Sequence, residues 1–240
     1  MQNSLILSGD CLQILPHLPP NSVDLILSDP PYGQTQNAWD EPIASTPLWK
    51  ELNRIGKPAA PIIFTAIQPF ASQLINSNTK QFRYDLIWHK NKSTGFLNAK
   101  RQPLRSHEHI LVFYRRSPLY NPQKTSGHEP SHAATRPRSN NYGAYRTTFY
   151  EGGDTDRYPT SVLQIPVINN DSPDKMHPTQ KPVDLFRYLI RTYTNPGDLV
   201  LDFAAGSGTT GVAALAENRR VILIEKNPDY VEFIRKRIPS

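Results

Sequence analysis

The chain has 240 residues, 38% of them hydrophobic, which is enough apolar material for one large domain with a sizeable core. No run approaches the roughly 20 apolar residues of a membrane span. A single cysteine, Cys11, excludes a disulfide framework or a cysteine-based zinc finger, so a reducing cytoplasm fits best. The net charge of +6 is concentrated: residues 90 to 157 hold twelve Lys and Arg against five acids, beside Phe96, Tyr142, Tyr145 and Tyr150, a field that suits a polyanion, most simply nucleic acid.

In chain order, residues 5–7 read as a short buried strand that ends at Gly9-Asp10. Residues 23–27 read as a second strand, followed directly by Asp29-Pro30-Pro31-Tyr32. In doubly wound sheets ligands sit at the carboxyl ends of the strands, so this loop faces the expected cleft. Two consecutive prolines stiffen the backbone and remove two N–H donors. What remains is rich in acceptors: the Asp29 carboxylate and the Pro30 carbonyl, beside the flat face of Tyr32. Such a turn fits an amino-bearing nucleobase taken out of its stack.

Residues 62–64 read as the next strand, and Phe70, Leu74 and Ile75 share a helical face. Strands at 84–88 and 110–114 follow. His107, Glu108 and His109 resemble a ligand cluster, but neighbours on a strand point to opposite faces, so no metal is expected. Residues 116 to 176 are rich in Pro, Ser, Asn, Thr and Arg and lose all periodicity, which reads as a surface that orders on its ligand.

Val183, Phe186, Leu189, Ile190 and Tyr193 then mark a helix, and residues 200–203 a strand that enters the turn Gly206-Ser207-Gly208. A helix with Ala213, Ala214, Leu215 and Ala216 follows, then a strand at 221–224 that ends at Glu225. Asn227-Pro228 caps a last helix carrying Tyr230, Phe233 and Ile234. Glycines at a helix N-terminus let a ligand approach free N–H groups, and an acid about twenty residues later suits the two hydroxyls of a ribose. The spacing Gly206-x-Gly208-x-x-Gly211 also satisfies the dinucleotide fingerprint and does not by itself exclude a dehydrogenase. Hydride transfer has no use for Asp-Pro-Pro-Tyr, which tips the balance.

Asp-Pro-Pro-Tyr, the loop from Asp202 to Thr210 and His177-Pro178-Thr179-Gln180-Lys181-Pro182 together closely resemble the amino-group DNA methyltransferases that depend on S-adenosylmethionine. The order, catalytic loop first and cofactor loop last, is similar to the circularly permuted β group of that family. The resemblance implies a doubly wound, mostly parallel, seven-stranded Rossmann-like sheet formed by residues 1–116 and 175–240. It implies an irregular target-recognition insertion at 117–174. Asp29, Pro30, Pro31 and Tyr32 would form the catalytic loop. Asp10, Lys181, Asp202, Phe203, Gly206, Ser207, Gly208, Thr209 and Glu225 would hold the cofactor, with Asp10 near its adenine, Glu225 on its ribose and Lys181 over its methionine part. Arg105, Arg136, Arg138, Arg146 and Arg157 would contact double-stranded DNA. Trp39, after the catalytic loop, reads equally as part of a mobile flap over the target base or as ordinary packing, and the resemblance makes His177 structural. One departure is Ala204, which stands where the family usually has phenylalanine, with Phe203 just ahead.

The reading is methyl transfer to an exocyclic amino group, N6 of adenine, in the cytoplasm on nucleoid DNA. A second copy of the chain and a companion restriction endonuclease are the further partners it allows. Cytosine N4 is the alternative target, although the family more often has serine before Pro-Pro-Tyr in that case. A nucleotide-dependent oxidoreductase and a silent nucleic-acid binder are the competing classes. Cys11 follows Asp10 rather than proline and reads as a buried small residue, not a nucleophile.

Overall fold

The computed structural model describes residues 3–33, 43–136, 148–168 and 180–238, in two compact units: Met1–Asn121 with Ser161–Ser240, and Pro122–Thr160. Trp39, Arg138, Arg146 and His177 lie outside the described residues, as does the side chain of Arg136. The strands are β1 (Ser4–Ser8), β2 (Leu25–Ser28), β3 (Ile62–Ala66), β4 (Phe82–Thr94), β5 (Arg105–Phe113), β6 (Ala134–Arg136), β7 (Thr148–Tyr150), β8 (Val162–Gln164), β9 (Leu199–Asp202) and β10 (Arg220–Glu225). The helices are α1 (Cys11–Ile14), α2 (Ser45–Ile55), α3 (Phe70–Ser77), α4 (Val183–Tyr193), α5 (Thr209–Ala216) and α6 (Pro228–Arg237).

In the larger unit the sheet order is β1-β10-β9-β2-β3-β5-β4-β8. Only β5 runs antiparallel to its neighbours. The central strands β2, β3, β9 and β10 are buried on both faces, and alternation sorts their side chains. Ile26, Ile62, Phe64, Leu201 and Ile222 pack against Leu48, Trp49, Leu52 and Ile55 of α2 and Ala71 and Leu74 of α3. Leu25, Leu27, Ile63, Val200 and Leu223 pack against Leu185, Phe186, Leu189 and Ile190 of α4, with Ala213 and Ile234 of α5 and α6. The result is helix layers on both faces of a mostly parallel sheet.

All seven strands read from the sequence are present, and β8 joins as an eighth, parallel to β4 with Trp88 opposite Leu163. Three residues are too few for periodicity to reveal. The Trp88 indole donates to the Ile165 carbonyl at 2.7 Å and locks the strand in place. The first and last strands, β1 and β10, lie side by side, as the permuted order requires. The separate unit is narrower than 117–174. The Asn121 amide donates to the carbonyls of Arg191 and Thr194, each at 3.1 Å, and residues 161–168 return to the sheet.

The smaller unit holds the antiparallel pair β6–β7 and a bridge between Thr125 and Arg157. Its turn at Gly152 has φ +81°, and a Cβ there would stand 2.6 Å from the Ala133 nitrogen, so only glycine fits. Phe149, Tyr150 and Tyr158 are exposed, and the Lys124 ammonium lies 4.7 Å from the centre of the Tyr158 ring.

Candidate functional site

From β9 the chain moves outward to β10 on one side, and from β2 it moves outward to β3 on the other. The strand order therefore reverses between β9 and β2, and in an open α/β sheet that crevice is the expected ligand site. Asp202 at the end of β9 and Ser28 at the end of β2 close it at its base: the Ser28 hydroxyl donates to Asp202 Oδ1 at 2.6 Å.

Asp202 is buried and organises the glycine loop. It accepts from the Ala204 N–H at 3.1 Å and from the Thr210 hydroxyl. Burial pushes its carboxyl up to about 6, with the three hydrogen bonds opposing. Beyond it the chain turns through Gly206 (φ +51°) and Gly208 (φ +77°). A Cβ on Gly206 would meet nothing within 4 Å, so the loop presents open space there, whereas one on Gly208 would press Ile234 at 3.1 Å. Gly211 is different: a Cβ would stand 2.3 Å from Ile238 and 2.7 Å from Leu223, so this glycine serves the close packing of α5 on the sheet.

Glu225 ends β10 beside this loop. One of its oxygens accepts from the Gly206 N–H at 2.7 Å and the other from the Asn227 N–H at 2.8 Å. Burial raises its pKa. Asp10 stands on the same edge, because Ser8 pairs with Glu225 and the Gly9 N–H donates to the Glu225 carbonyl at 2.9 Å. Asp10 caps α1 through the Leu12 N–H at 2.9 Å and keeps its second oxygen 3.4 Å from Lys226. Ser207 and Thr209 are buried, their hydroxyls 3.3 Å apart. The Phe203 ring turns into the core, edge-on to Phe64 at 5.8 Å, because the residue just after β9 continues the alternation of Leu201 towards the α2–α3 layer. Its side chain is therefore a buried packing element.

Asp29 follows β2, across the crevice from the glycine loop. Its Oδ1 accepts from the hydroxyls of Tyr32 and Thr65, the latter fully buried on β3. Its Oδ2 accepts from the Lys181 ammonium at 2.7 Å. The Tyr32 ring packs on Phe70, centres 5.1 Å apart. Burial, with the Asp29 charge beside it, holds the Tyr32 phenol well above its ordinary value, so it stays a neutral donor. Behind the loop is an apolar cavity of about 190 Å³ lined by Pro30, Pro31, Trp49, Phe64 and Phe70. Among the described residues no titratable group lines it, and it backs the loop.

Lys181 brings the last members. Its ammonium lies 3.4 Å from Glu108 Oε2, and Glu108 Oε1 is 3.1 Å from the Lys90 ammonium. Burial pulls the Lys181 pKa down, but Asp29, Tyr32 and Glu108 outweigh it and hold it well above the ordinary lysine value. Burial likewise raises Glu108, yet Lys181 and Lys90 outweigh it and keep its carboxyl below the usual range. Lys181 and Glu108 are thus each held in the charged form by their neighbours. The sequence reading set Lys181 over the cofactor; here its ammonium is bound to Asp29. It overlooked Thr65, weighed Glu108 only as a metal ligand and counted Lys90 only in the basic stretch. A signal was present: Leu86, Trp88, Lys90 and Val112, Ile110, Glu108 are the inward rows of two paired strands, and each row ends in a charge.

The strands β4 and β5 continue past the site. Ala66, the end of β3, is level with His109 and Ile87, and β4 runs seven residues further, to Thr94. At about 3.3 Å per residue the hairpin stands on the order of 20 Å above the carboxyl edge of the sheet. Its tip exposes Phe96 and Leu97 next to Lys100 and Arg101. Arg105 is in its stem, donating to the Gln68 carbonyl at 3.5 Å. Arg157, in the smaller unit, donates to the carbonyls of Asp154, Asp156 and Glu129, so its guanidinium holds that unit's own loops. The side chains of His107 and His109 face each other, ring centres 5.5 Å apart, and His109 Nδ1 is 3.1 Å from Asp85. Cys11 is buried, and that burial, with Asp10 nearby, pushes its thiol up to about 11, far from thiolate chemistry.

A family model described as a DNA methylase matches residues 23–236. The chain is 29% identical over 246 residues to the DNA adenine methyltransferase YhdJ of Escherichia coli (strain K12), covering 97% of this chain and 82% of that protein. Among solved structures, the M1.HpyAVI–SAM complex matches with a TM-score of 0.65 at 23% identity, covering 98% of this chain and 100% of that one. The PvuII DNA methyltransferase (cytosine-N4-specific) matches with a TM-score of 0.71 at 18% identity, covering 100% of this chain and 88% of that one. At these identities the two structures share the fold.

Proposed function

The chain belongs to the DNA methylase family, and on that premise we propose that it transfers a methyl group from S-adenosylmethionine to the exocyclic N6 of adenine in double-stranded DNA. The observation that carries the reading is Asp29: a carboxylate on a proline-stiffened loop, at the switch point of the sheet, across the crevice from an open glycine turn. The residues fit the cofactor. Gly206 leaves room for it, Glu225 offers carboxylate oxygens where a ribose would approach, and Asp10 stands on the same edge. Bound there, S-adenosylmethionine would supply an electrophilic methyl group.

The amino nitrogen of adenine is a poor nucleophile because its lone pair is delocalised into the ring. Asp29 and the Pro30 carbonyl would accept its two N–H bonds and hold the lone pair out of the ring plane, towards the methyl. Tyr32 would stack on the base after it leaves the duplex. Positioning and electrostatics supply the rate in an in-line displacement, without a covalent enzyme nucleophile. Two surfaces suit the DNA. One is the hairpin tip, where Phe96 and Leu97 stand among Lys92, Lys100 and Arg101. The other is the unit Pro122–Thr160, whose exposed aromatics and basic residues suit target recognition.

Cytosine N4 is the second reading, since the fold is shared with a cytosine-N4-specific enzyme. Asp29 before Pro-Pro-Tyr and the adenine-methylating relative favour adenine. Incubation with DNA and isotopically labelled S-adenosylmethionine, then mass spectrometry of the nucleosides, tests both. N6-methyladenine is expected. N4-methylcytosine would overturn the choice of base, and no labelled base at all would overturn the reading.

A further inference from the structure

Asp29 is already engaged before any base arrives. Oδ1 receives two hydroxyls, which fills it, and Oδ2 receives the Lys181 ammonium at 2.7 Å. A charge-assisted bond is roughly twice as strong as a neutral one. The neutral amino group of a base cannot therefore displace Lys181 unless the ammonium has somewhere else to go. Glu108 Oε2 is 3.4 Å from the same nitrogen and, among the described residues, has ion-pair contact with it but no hydrogen bond. A shift of roughly half an ångström would close that gap to hydrogen-bond length. Lys90 holds the other Glu108 oxygen and so fixes the receiving carboxylate in place.

We propose that Glu108 is a positioning residue for the methyl-transfer reaction: it takes the Lys181 ammonium as the amino group of the target base takes Asp29 Oδ2. This rests on the methyl-transfer reading of the site. The exchange moves one cation between two anions, so neither arrangement strands a buried charge, the condition that makes such networks costly to disturb. Lys181 thereby shields Asp29 while the site is empty and yields it only to a group that donates hydrogen bonds. A base without an amino group gives no compensation for the shift.

The test compares DNA carrying adenine at the methylated position with DNA carrying purine, which lacks the amino group, for wild type and for Glu108→Gln. Wild type should bind the adenine duplex about tenfold or more tightly than the purine duplex, the range for a hydrogen bond to a charged group. In Glu108→Gln that preference should fall to near unity and the rate of transfer should drop, with S-adenosylmethionine affinity unchanged and melting lowered, since the buried Lys90 loses its carboxylate partner. Adding Lys181→Met should restore the adenine preference, because Asp29 is then unguarded; a merely structural role for Glu108 would not be rescued this way. If Glu108→Gln does not fold, Glu108→Asp keeps the charge but draws the carboxylate back, and should show an intermediate preference. A wild-type adenine preference in a folded Glu108 variant, or no recovery in the double variant, overturns the exchange. Absence of methyl transfer by wild type would instead overturn the reading beneath it.

Discussion

Replacing Asp202 by asparagine should remove a pH dependence from the stability of the fold. Burial raises this carboxyl from 3.8 to about 6, so the folded protein holds the proton more tightly than the unfolded chain. The stability contributed is present in full below pH 3.8 and is lost as pH rises through the folded value near 6. A little over two decades of proton affinity correspond to ~3 kcal/mol, with little screening because the side chain is 2% exposed. Asparagine keeps an acceptor for Ser28 and the Ala204 N–H and turns its NH2 towards Thr210, whose hydroxyl can rotate to accept. Urea denaturation of both proteins at several pH values is the assay. Other acids titrate in both proteins, so the quantity to follow is the stability of the variant minus that of wild type. That difference should climb by most of ~3 kcal/mol between about pH 4 and pH 7, then level off. A difference that stays flat across this range would refute the assignment of Asp202 as a buried, strained carboxylate at the base of the cleft.

Asp29→Ala should lower methyl transfer at least about 100-fold, the loss typical of one preorganised polar contact, without unfolding the protein, since Lys181 keeps Glu108; near-normal single-turnover rates would contradict this. Glu225→Ala should weaken S-adenosylmethionine binding by about 1.5–3 kcal/mol, measured by calorimetry on the free enzyme. Gly208→Ala should cost about 1–2 kcal/mol of stability, because the backbone is left-handed there and a Cβ presses Ile234; chemical denaturation reads it. Replacing both Phe96 and Leu97 by serine should weaken DNA binding while leaving the salt slope unchanged, whereas Lys100→Ala should lower that slope by about one unit. Arg157→Ala should loosen the unit Pro122–Thr160, which hydrogen exchange of residues 125–132 would report.

Much of the larger unit was legible because parallel strands buried on both faces leave continuous apolar runs. Asp29, Asp202 and Glu225 were legible for a related reason: each ends such a run, where this architecture puts ligands. The helix α2 was overlooked although Leu48, Trp49, Leu52 and Ile55 have helical spacing. It starts without a side-chain cap, but Ser45-Thr46-Pro47 does carry an opening signal, which the reading passed over. Arg157 shows a different limit. Composition counts a guanidinium as available, while only the folded unit reveals that three carbonyls of its own loops occupy it. Lys181 was found through its motif, but its partner was not, since 152 residues separate it from Asp29.

Glu108 reaches the site because one strand runs backwards. In a fully parallel sheet the carboxyl edge collects the last residues of each strand, and residues early in a strand lie at the opposite edge. β5 is antiparallel to β3 and β4, so its opening residues, from Arg105 to Glu108, are delivered to the edge where β2, β3, β9 and β10 end. The β4 strand supplies Lys90 by overrunning that edge. The same reversal thus sets both the second carboxylate of the buried network and the base of the basic hairpin that rises beyond it. On the proposed reading, chemistry at Asp29 and contact with a long polyanion would be joined through two neighbouring strands. A change in the β4–β5 register should therefore disturb both, and with alternation of period two a one-residue slip of β5 would turn Glu108 to the face opposite Lys90.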